Sequence, residues 1–349
     1  SNDLCIIHKI GIFLAFMSPS FKNGRRNLIA VLDWGLGHAS RSIALAARLE
    51  ENGEVVIWAS AGHARIILQE AYPDREIHQL PSYRVRYPTG NMYWNMVRQM
   101  PRMVKAIWFE NRVVNRLSKS EKIDRIISDS RFGAYVKGIP SVFLSHQLRP
   151  IFGLPGVGVL YRWWLRRFTA YWVPDEDGPG RLSGQLSNGK GYYPVYYIGQ
   201  LSRLVHYLSN EQKDEGKIAS YDLVCLLSGP EPQRSHLEAI LIKRLCDYPG
   251  ESLVIQGLPS EEPKRRRKLG NLTIISYTNA EETAHYLQRA KKVLCRSGYS
   301  SLMDLVAFGK KAILVPTPGQ TEQIYLANQA ERQGWAIVVS QNELVSMTI

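Results

Sequence analysis

Residues 292–329 read KVLCRSGYSSLMDLVAFGKKAILVPTPGQTEQIYLANQ. Val293–Cys295 is a short apolar strand, Arg296-Ser297-Gly298 is a turn, and a helix starting at Ser300 or Ser301 stops at Gly309. A second apolar strand, Ala312–Val315, runs through Pro316–Gln320 into another helix. Strand, turn and helix repeated in this way make a parallel α/β sheet. Such sheets bind ligands beyond the carboxyl ends of their strands, where both turns fall. Gly298 lets a ligand approach the backbone, Ser300 and Ser301 are the expected caps, and the first N–H groups with the helix dipole seat an anion. Asp304, about one and a half turns into the helix, is placed to accept hydrogen bonds from a pair of sugar hydroxyls. Gln320, Glu322 and Gln323 open the next helix. On the residues alone, a plain helix cap with a solvated Asp304 explains the motif equally well.

The same unit extends upstream. A strand over Asp222–Leu227 delivers Ser228-Gly229-Pro230-Glu231-Pro232-Gln233-Arg234 to a helix ending at Cys246. Its prolines carry no N–H, so Ser228, Gly229 and Arg234 are the phosphate-binding candidates, together with Arg296 and Ser297. Strands at Ser252–Gln256 and Leu272–Tyr277 bring Tyr277 to the same rim. Lys264-Arg265-Arg266-Arg267-Lys268 reads as a solvated loop, and Trp335–Val339 as the last strand.

A second α/β unit precedes it. Asn27–Leu32 is an apolar strand followed by Asp33-Trp34-Gly35-Leu36-Gly37-His38-Ala39-Ser40-Arg41 and a helix. The Gly-x-Gly invites a dinucleotide reading, but the third glycine position is Ser40, and the next strand, Val55–Ala59, ends in Ser60-Ala61-Gly62 rather than an acid. An NAD site is therefore not expected. The turn presents His38 at the mouth of the helix. Glu76–Leu80 is a third strand, Arg125–Ser128 delivers Asp129-Ser130-Arg131, and Pro140–Leu144 delivers Ser145-His146-Gln147. Asp129 is placed to accept a histidine ring N–H, the usual partner of a general base. Met92–Leu117 is an amphipathic helix that Pro101 is expected to kink or break.

The chain has 349 residues, 45% of them apolar, enough for two cores. The net charge is +13. Residues 1–200 hold 26 Lys and Arg against 15 Asp and Glu, and residues 201–349 hold 18 against 16. Between Pro81 and Trp172 there are 16 basic and four acidic side chains, interleaved with aromatics as in Tyr161-Arg162-Trp163-Trp164-Leu165-Arg166-Arg167-Phe168. That pattern suits either an anionic membrane surface or an ordinary helix with a solvated basic side. Leu4–Phe16 is mostly apolar but shorter than the roughly 20 residues of a membrane span, and reads as an extra element without a catalytic role. Cys5, Cys225, Cys246 and Cys295 form no Cys-x-x-Cys pair, so neither a zinc site nor a disulfide framework is expected, and a reduced, cytoplasmic protein is the default, with membrane association open as the alternative that the basic and aromatic stretch offers.

Two motifs in order, about 260 residues apart, carry a resemblance. RSGYSSLMDLVAFGKKAILVPTPGQTEQIYLA resembles the donor half of GT-B glycosyltransferases, above all glycosyltransferase family 28 with the GlcNAc transferase of peptidoglycan synthesis, and Asp-x-Gly-x-Gly-His-x-x-Arg resembles that group's first loop. The resemblance implies two Rossmann-like domains facing each other across a cleft: residues 1–25 an extension, 26–200 binding the acceptor, 201–217 a linker and 218–349 binding a nucleotide sugar. It implies a diphosphate on Ser297 and Gly298, a ribose on Asp304 and a donor sugar on Gln323. The acid departs from the usual Glu, and Gln323-Ile324 replaces a Gln-Gln pair. It further implies a hexosyltransferase moving a hexosyl or N-acetylhexosaminyl group, with inversion, from a UDP-sugar to a glycan or lipid-linked acceptor of the cell envelope. His38 is the base; Gly35, Gly37, Arg41, Arg131, His146 and Gln147 face the acceptor. No metal or other cofactor is expected. The chain ends ten residues after Val339, where the resemblance implies helices crossing back, so a shortened end is expected. A nucleotide-sugar 2-epimerase of the same fold, a nucleic-acid-binding protein and a catalytically silent scaffold are the alternatives. Nucleic acid is disfavoured because the charge sits in one half while both glycine-rich turns suit a small ligand.

Overall fold

The computed structural model describes residues 23–33, 36–83, 92–149, 157–188, 194–208, 220–229, 231–258 and 264–346. Leu4–Phe16, Gly35 and most of the expected linker lie outside them. The chain divides into two units, Ser1–Leu201 and Ser202–Ile349. Ser202–Leu208, expected in the linker, pack within the second unit: a 3-10 turn at Val205–Tyr207 offers the Tyr207 carbonyl to Gln288 Nε2 at 3.2 Å.

The first unit is a seven-stranded parallel sheet of β1 (Arg26–Val31), β2 (Val55–Ser60), β3 (Ile77–Gln79), β4 (Arg125–Asp129), β5 (Ser141–Leu144), β6 (Ala170–Val173) and β7 (Val195–Tyr197) in the order 3-2-1-4-5-6-7. Buried Leu28, Ala30, Ile57, Ala59 and Ile126 pack against Val114. The central strands read as unbroken apolar runs because both faces are covered. The helices are α1 (Leu36–Glu51), α2 (Gly62–Ala71), α3 (Met92–Ser120) and α4 (Val157–Leu165). Of the two outcomes expected at Pro101, a kink or a break, the break does not occur: α3 runs through the proline as one element. A proline costs one amide donor, and the turns on either side keep theirs.

The second unit repeats the plan with β8 (Tyr221–Leu226), β9 (Ser252–Ile255), β10 (Arg266–Leu269), β11 (Leu272–Ile275), β12 (Ala290–Cys295), β13 (Ala312–Leu314) and β14 (Ala336–Val338), ordered 10-11-9-8-12-13-14. Its helices are α5 (Gln233–Leu245), α6 (Ala280–Arg289), α7 (Tyr299–Ala307) and α8 (Thr321–Arg332). All pairings are parallel except β10 with β11. The basic run expected as a loop is therefore the border strand β10, exposed along its length and held by its pairing with β11. A second element, β6, was not anticipated, because its four residues follow directly on the aromatic and basic run.

Candidate functional site

In the first sheet the connections reverse direction between β1 and β4, which are hydrogen-bonded neighbours. Loops leaving these two strands diverge and open a crevice at their carboxyl ends. After β1, α1 places His38, Arg41 and Ser42 on one face, three and four positions apart. After β4, Asp129 closes the strand. Its buried carboxylate accepts from His38 Nδ1 at 2.8 Å, from Arg41 Nε at 3.1 and 3.0 Å, from Arg41 Nη2 and from Ser42 Oγ at 2.9 Å. Burial alone would raise its pKa, but the Arg41 guanidinium and His38 outweigh burial and hold it well below the usual carboxylate range. Arg41 Nη2 also lies 2.9 Å from His38 Nδ1. We assign the Nδ1 proton to the carboxylate, the stronger acceptor, which leaves the lone pair on Nε2.

His38 has 20% of its side chain exposed. Burial lowers its pKa most, Asp129 opposes and Arg41 adds to the lowering, so the net shift is below the ordinary 6.5. The imidazole is thus neutral near pH 7, the form a general base needs. Arg41, 2% exposed, spans the network by donating to His146 Nδ1 at 3.2 Å and Ser130 Oγ at 3.3 Å. Ser130 has a φ of 57°, an uncommon left-handed backbone for a serine, and it turns the chain immediately after Asp129.

Other expectations for this unit change. Arg131 is fully buried and donates to the Val31 carbonyl at 2.8 Å, the Pro81 carbonyl at 3.0 Å and Glu110 Oε1 at 2.7 Å, with Asp33 Oδ1 at 3.4 Å. With its donors committed, it buttresses the loop after β1 instead of facing an acceptor. Gly37 lies in the first turn of α1. Gln147 is anchored through its backbone, accepting from Tyr161 Oη at 2.7 Å and donating to Ser145 Oγ at 3.1 Å. Ser42 and Ser130 were missed, although the four-residue spacing from His38 to Ser42 was readable.

The second sheet reverses between β8 and β12. The Ser228-Gly229 loop leaves one and Ser297-Gly298 the other. Gly229 has a φ of 107°, open only to glycine, and a Cβ there would meet nothing within 4 Å. Gly298, not a serine, is the N-cap of α7, and no side chain caps the helix. Ser300 and Ser301 lie inside the first turn instead. Gly298 has an ordinary φ of −71° and open space where a Cβ would stand. Folding does not demand glycine at 298, whereas a ligand resting on the backbone does. Ser297 is buried and donates to the Gln323 carbonyl at 2.7 Å. Gln323 Oε1 accepts the Thr317 N–H at 2.8 Å, which aims its amide NH2. Gln320 is the N-cap of α8, Glu322 sits in its first turn, and Tyr277 follows β11, half-buried.

Two arginines expected on phosphate are spent elsewhere. Arg234 donates to Glu231 Oε1 and Glu238 Oε2, both at 2.6 Å, to the Gln256 carbonyl at 3.3 Å and to Ser235 Oγ at 2.9 Å. Arg296, 1% exposed, donates to the carbonyls of Val315, Pro316 and Gln233 and to Gln341 Oε1. Both fasten loops at the strand ends. Asp304 is reached by the Ser202 hydroxyl at 2.5 Å, so one carboxylate oxygen is already engaged. Burial raises its pKa to about 6 against the pull of Ser202 and Arg203. Among the described residues there is no cluster of three metal-ligating side chains and no helix long and apolar enough to cross a membrane.

Solved structures share this architecture. Acinetobacter baumannii MurG superposes with a TM-score of 0.55 at 14% identity, covering 93% of this chain and 87% of that one. The spinosyn rhamnosyltransferase SpnG in complex with thymidine diphosphate gives 0.60 at 13% identity, covering 92% and 90%. The fold is GT-B, with two parallel-sheet α/β domains. In sequence, an uncharacterized glycosyltransferase of Methanosarcina mazei is 22% identical over 337 residues, 90% of this chain and 85% of the relative. The model of the glycosyltransferase family 28 C-terminal domain matches residues 246–349, which include α7 and its open N-terminus. The protein is a glycosyltransferase resembling family 28.

Proposed function

We propose that the protein transfers a hexosyl or N-acetylhexosaminyl group, with inversion, from a nucleoside-diphosphate sugar, UDP by resemblance, to a hydroxyl of a lipid-linked or cell-envelope glycan. The observation that carries this reading is the His38–Asp129 pair: a neutral, partly exposed imidazole with its Nδ1 held 2.8 Å from a buried carboxylate. His38 Nε2 takes the acceptor hydroxyl proton as that oxygen bonds to the anomeric carbon. The bond from that carbon to the diphosphate breaks, and the nucleoside diphosphate leaves with the electron pair. The uncapped N-terminus of α7 and the Ser228-Gly229 loop receive the diphosphate charge, so the chemistry is assigned to backbone dipoles without a metal. Asp304 takes the ribose, and the Gln323 amide takes a sugar hydroxyl. Peripheral contact with anionic lipid through the first unit belongs to the same reading.

Turnover of a panel of UDP, TDP, GDP and ADP sugars, with and without EDTA, tests it. A transfer product with inverted anomeric configuration is expected, undiminished by EDTA. His38→Ala should lower kcat by about 100- to 10,000-fold, and retained turnover would remove the base. Isomerisation of the sugar without acceptor would point to the epimerase instead.

A further inference from the structure

Asp304 has a partner from a part of the chain that its sequence marks as connector. Ser202, the first residue of the second unit and 4% exposed, directs its hydroxyl to Asp304 Oδ1 at 2.5 Å across 102 positions. The Ser202 Oγ itself accepts the Leu204 N–H at 3.2 Å. With an amide on its lone pair, the hydroxyl has its proton aimed at the carboxylate. The segment is itself seated, through the bond between Tyr207 and Gln288 on α6.

We infer that Ser202 is a positioning residue of the donor site, pinning one oxygen of the Asp304 carboxylate so that the other is presented to the ribose hydroxyls. The inference rests on the donor role proposed for Asp304. An ionised carboxylate has about four lone-pair sites, and Ser202 uses one of them and fixes the plane of the rest. It also favours the ionised form, the only form that accepts from both hydroxyls. Burial pushes the Asp304 pKa up to about 6, while the Ser202 bond and the Arg203 charge pull it down. Cys295, at the end of β12, faces the same carboxyl but stays a neutral thiol, its pKa pushed up to about 12 by burial. Without the Ser202 hydroxyl the carboxyl protonates at higher pH, so nucleotide binding that needs the charge fails earlier as pH falls.

The test uses the full chain and measures Kd for UDP, with TDP and GDP in parallel, from pH 5 to 8, beside kcat at saturating donor and Tm. Ser202→Ala is expected to weaken nucleotide binding about fivefold at pH 7, the order of one hydrogen bond's net contribution. It should move the acid limb of binding to higher pH and leave kcat and Tm unchanged. Ser202→Thr should restore both affinity and limb. Unaltered binding in Ser202→Ala, with binding lost in Asp304→Asn, overturns the inference and leaves the donor reading standing. A fall in Tm with the limb unmoved and no rescue by threonine makes the role structural and also overturns it. If Asp304→Asn binds as the wild type does, or the wild type binds none of the three nucleotides, the donor reading fails and the inference with it.

Discussion

Arg41 is the residue on which the first unit's chemistry turns. Expected to face an acceptor, it instead lies against Asp129, His38, His146 and Ser130. A buried ion pair contributes little net stability when intact, but losing one partner strands the other charge. Arg41→Ala should therefore cost about 3–5 kcal/mol in chemical denaturation, whereas His38→Ala, at a partly exposed position, should cost much less. The lowered pKa of His38 sets a second expectation. A base works in its deprotonated form, so kcat/KM for the acceptor at saturating donor should hold as pH falls through neutrality and decline with a midpoint below the ordinary imidazole value of 6.5; a midpoint above 6.5 would contradict the environment described. At this scale the sequence was only partly legible. His38 and Asp129 are 91 positions apart, and strand-end placement sufficed to bring them together. Arg131, Arg234 and Arg296 also sit at strand ends beside Gly and Ser, just where phosphate-binding arginines sit. What separates the two kinds is the supply of inward acceptors, and nothing in the local sequence around Glu110, Val315 or Gln233 says which arginine each will meet.

Among the elements, α3 and α4 carry most of the first unit's basic excess. Ile107 of α3 and Trp164 of α4 belong to one apolar cluster with Leu32 and Tyr83. Trp108 (51% exposed) and Trp163 (50%) point outward. The Arg112 guanidinium lies 3.4 Å from the Trp108 ring centre and that of Arg167 4.0 Å from Trp163. Rings beside guanidinium groups match the headgroup layer of an anionic bilayer. Co-sedimentation with vesicles containing phosphatidylglycerol, but not with neutral phosphatidylcholine vesicles, is expected, and the double change Trp108→Glu and Trp163→Glu should abolish it. Binding that persists equally on neutral vesicles would rule out this charge-dependent contact. Long amphipathic α3 was plain from its periodicity, while the choice between a kink and a break at Pro101 was not, since a proline's local cost is visible in sequence and the flanking turns that absorb it are not.

Across the whole molecule, the two sheets were recoverable because buried parallel strands read as apolar runs punctuated by Gly and Ser turns. Strands β6 and β10 escaped for opposite reasons. Ala170–Val173 merges into its aromatic neighbours, and Arg266–Leu269 has no apolar face, so only pairing with β11 makes it a strand. That pairing has an outcome for molecules meeting one another. Among the described residues no strand lies beyond β10 in the sheet, so its far side carries backbone donors and acceptors of the kind that recruits a second chain. Arg266, Arg267 and Lys268 line it and are exposed, so two copies approaching border to border would bring like charges together before any ladder formed. Replacing the three with threonine should leave turnover intact while light scattering of concentrated, low-salt solutions rises with time; clear solutions after that change would show that repulsion at this border does not govern solubility. On this account the run that reads in sequence as a solvated loop would be a guard against self-association.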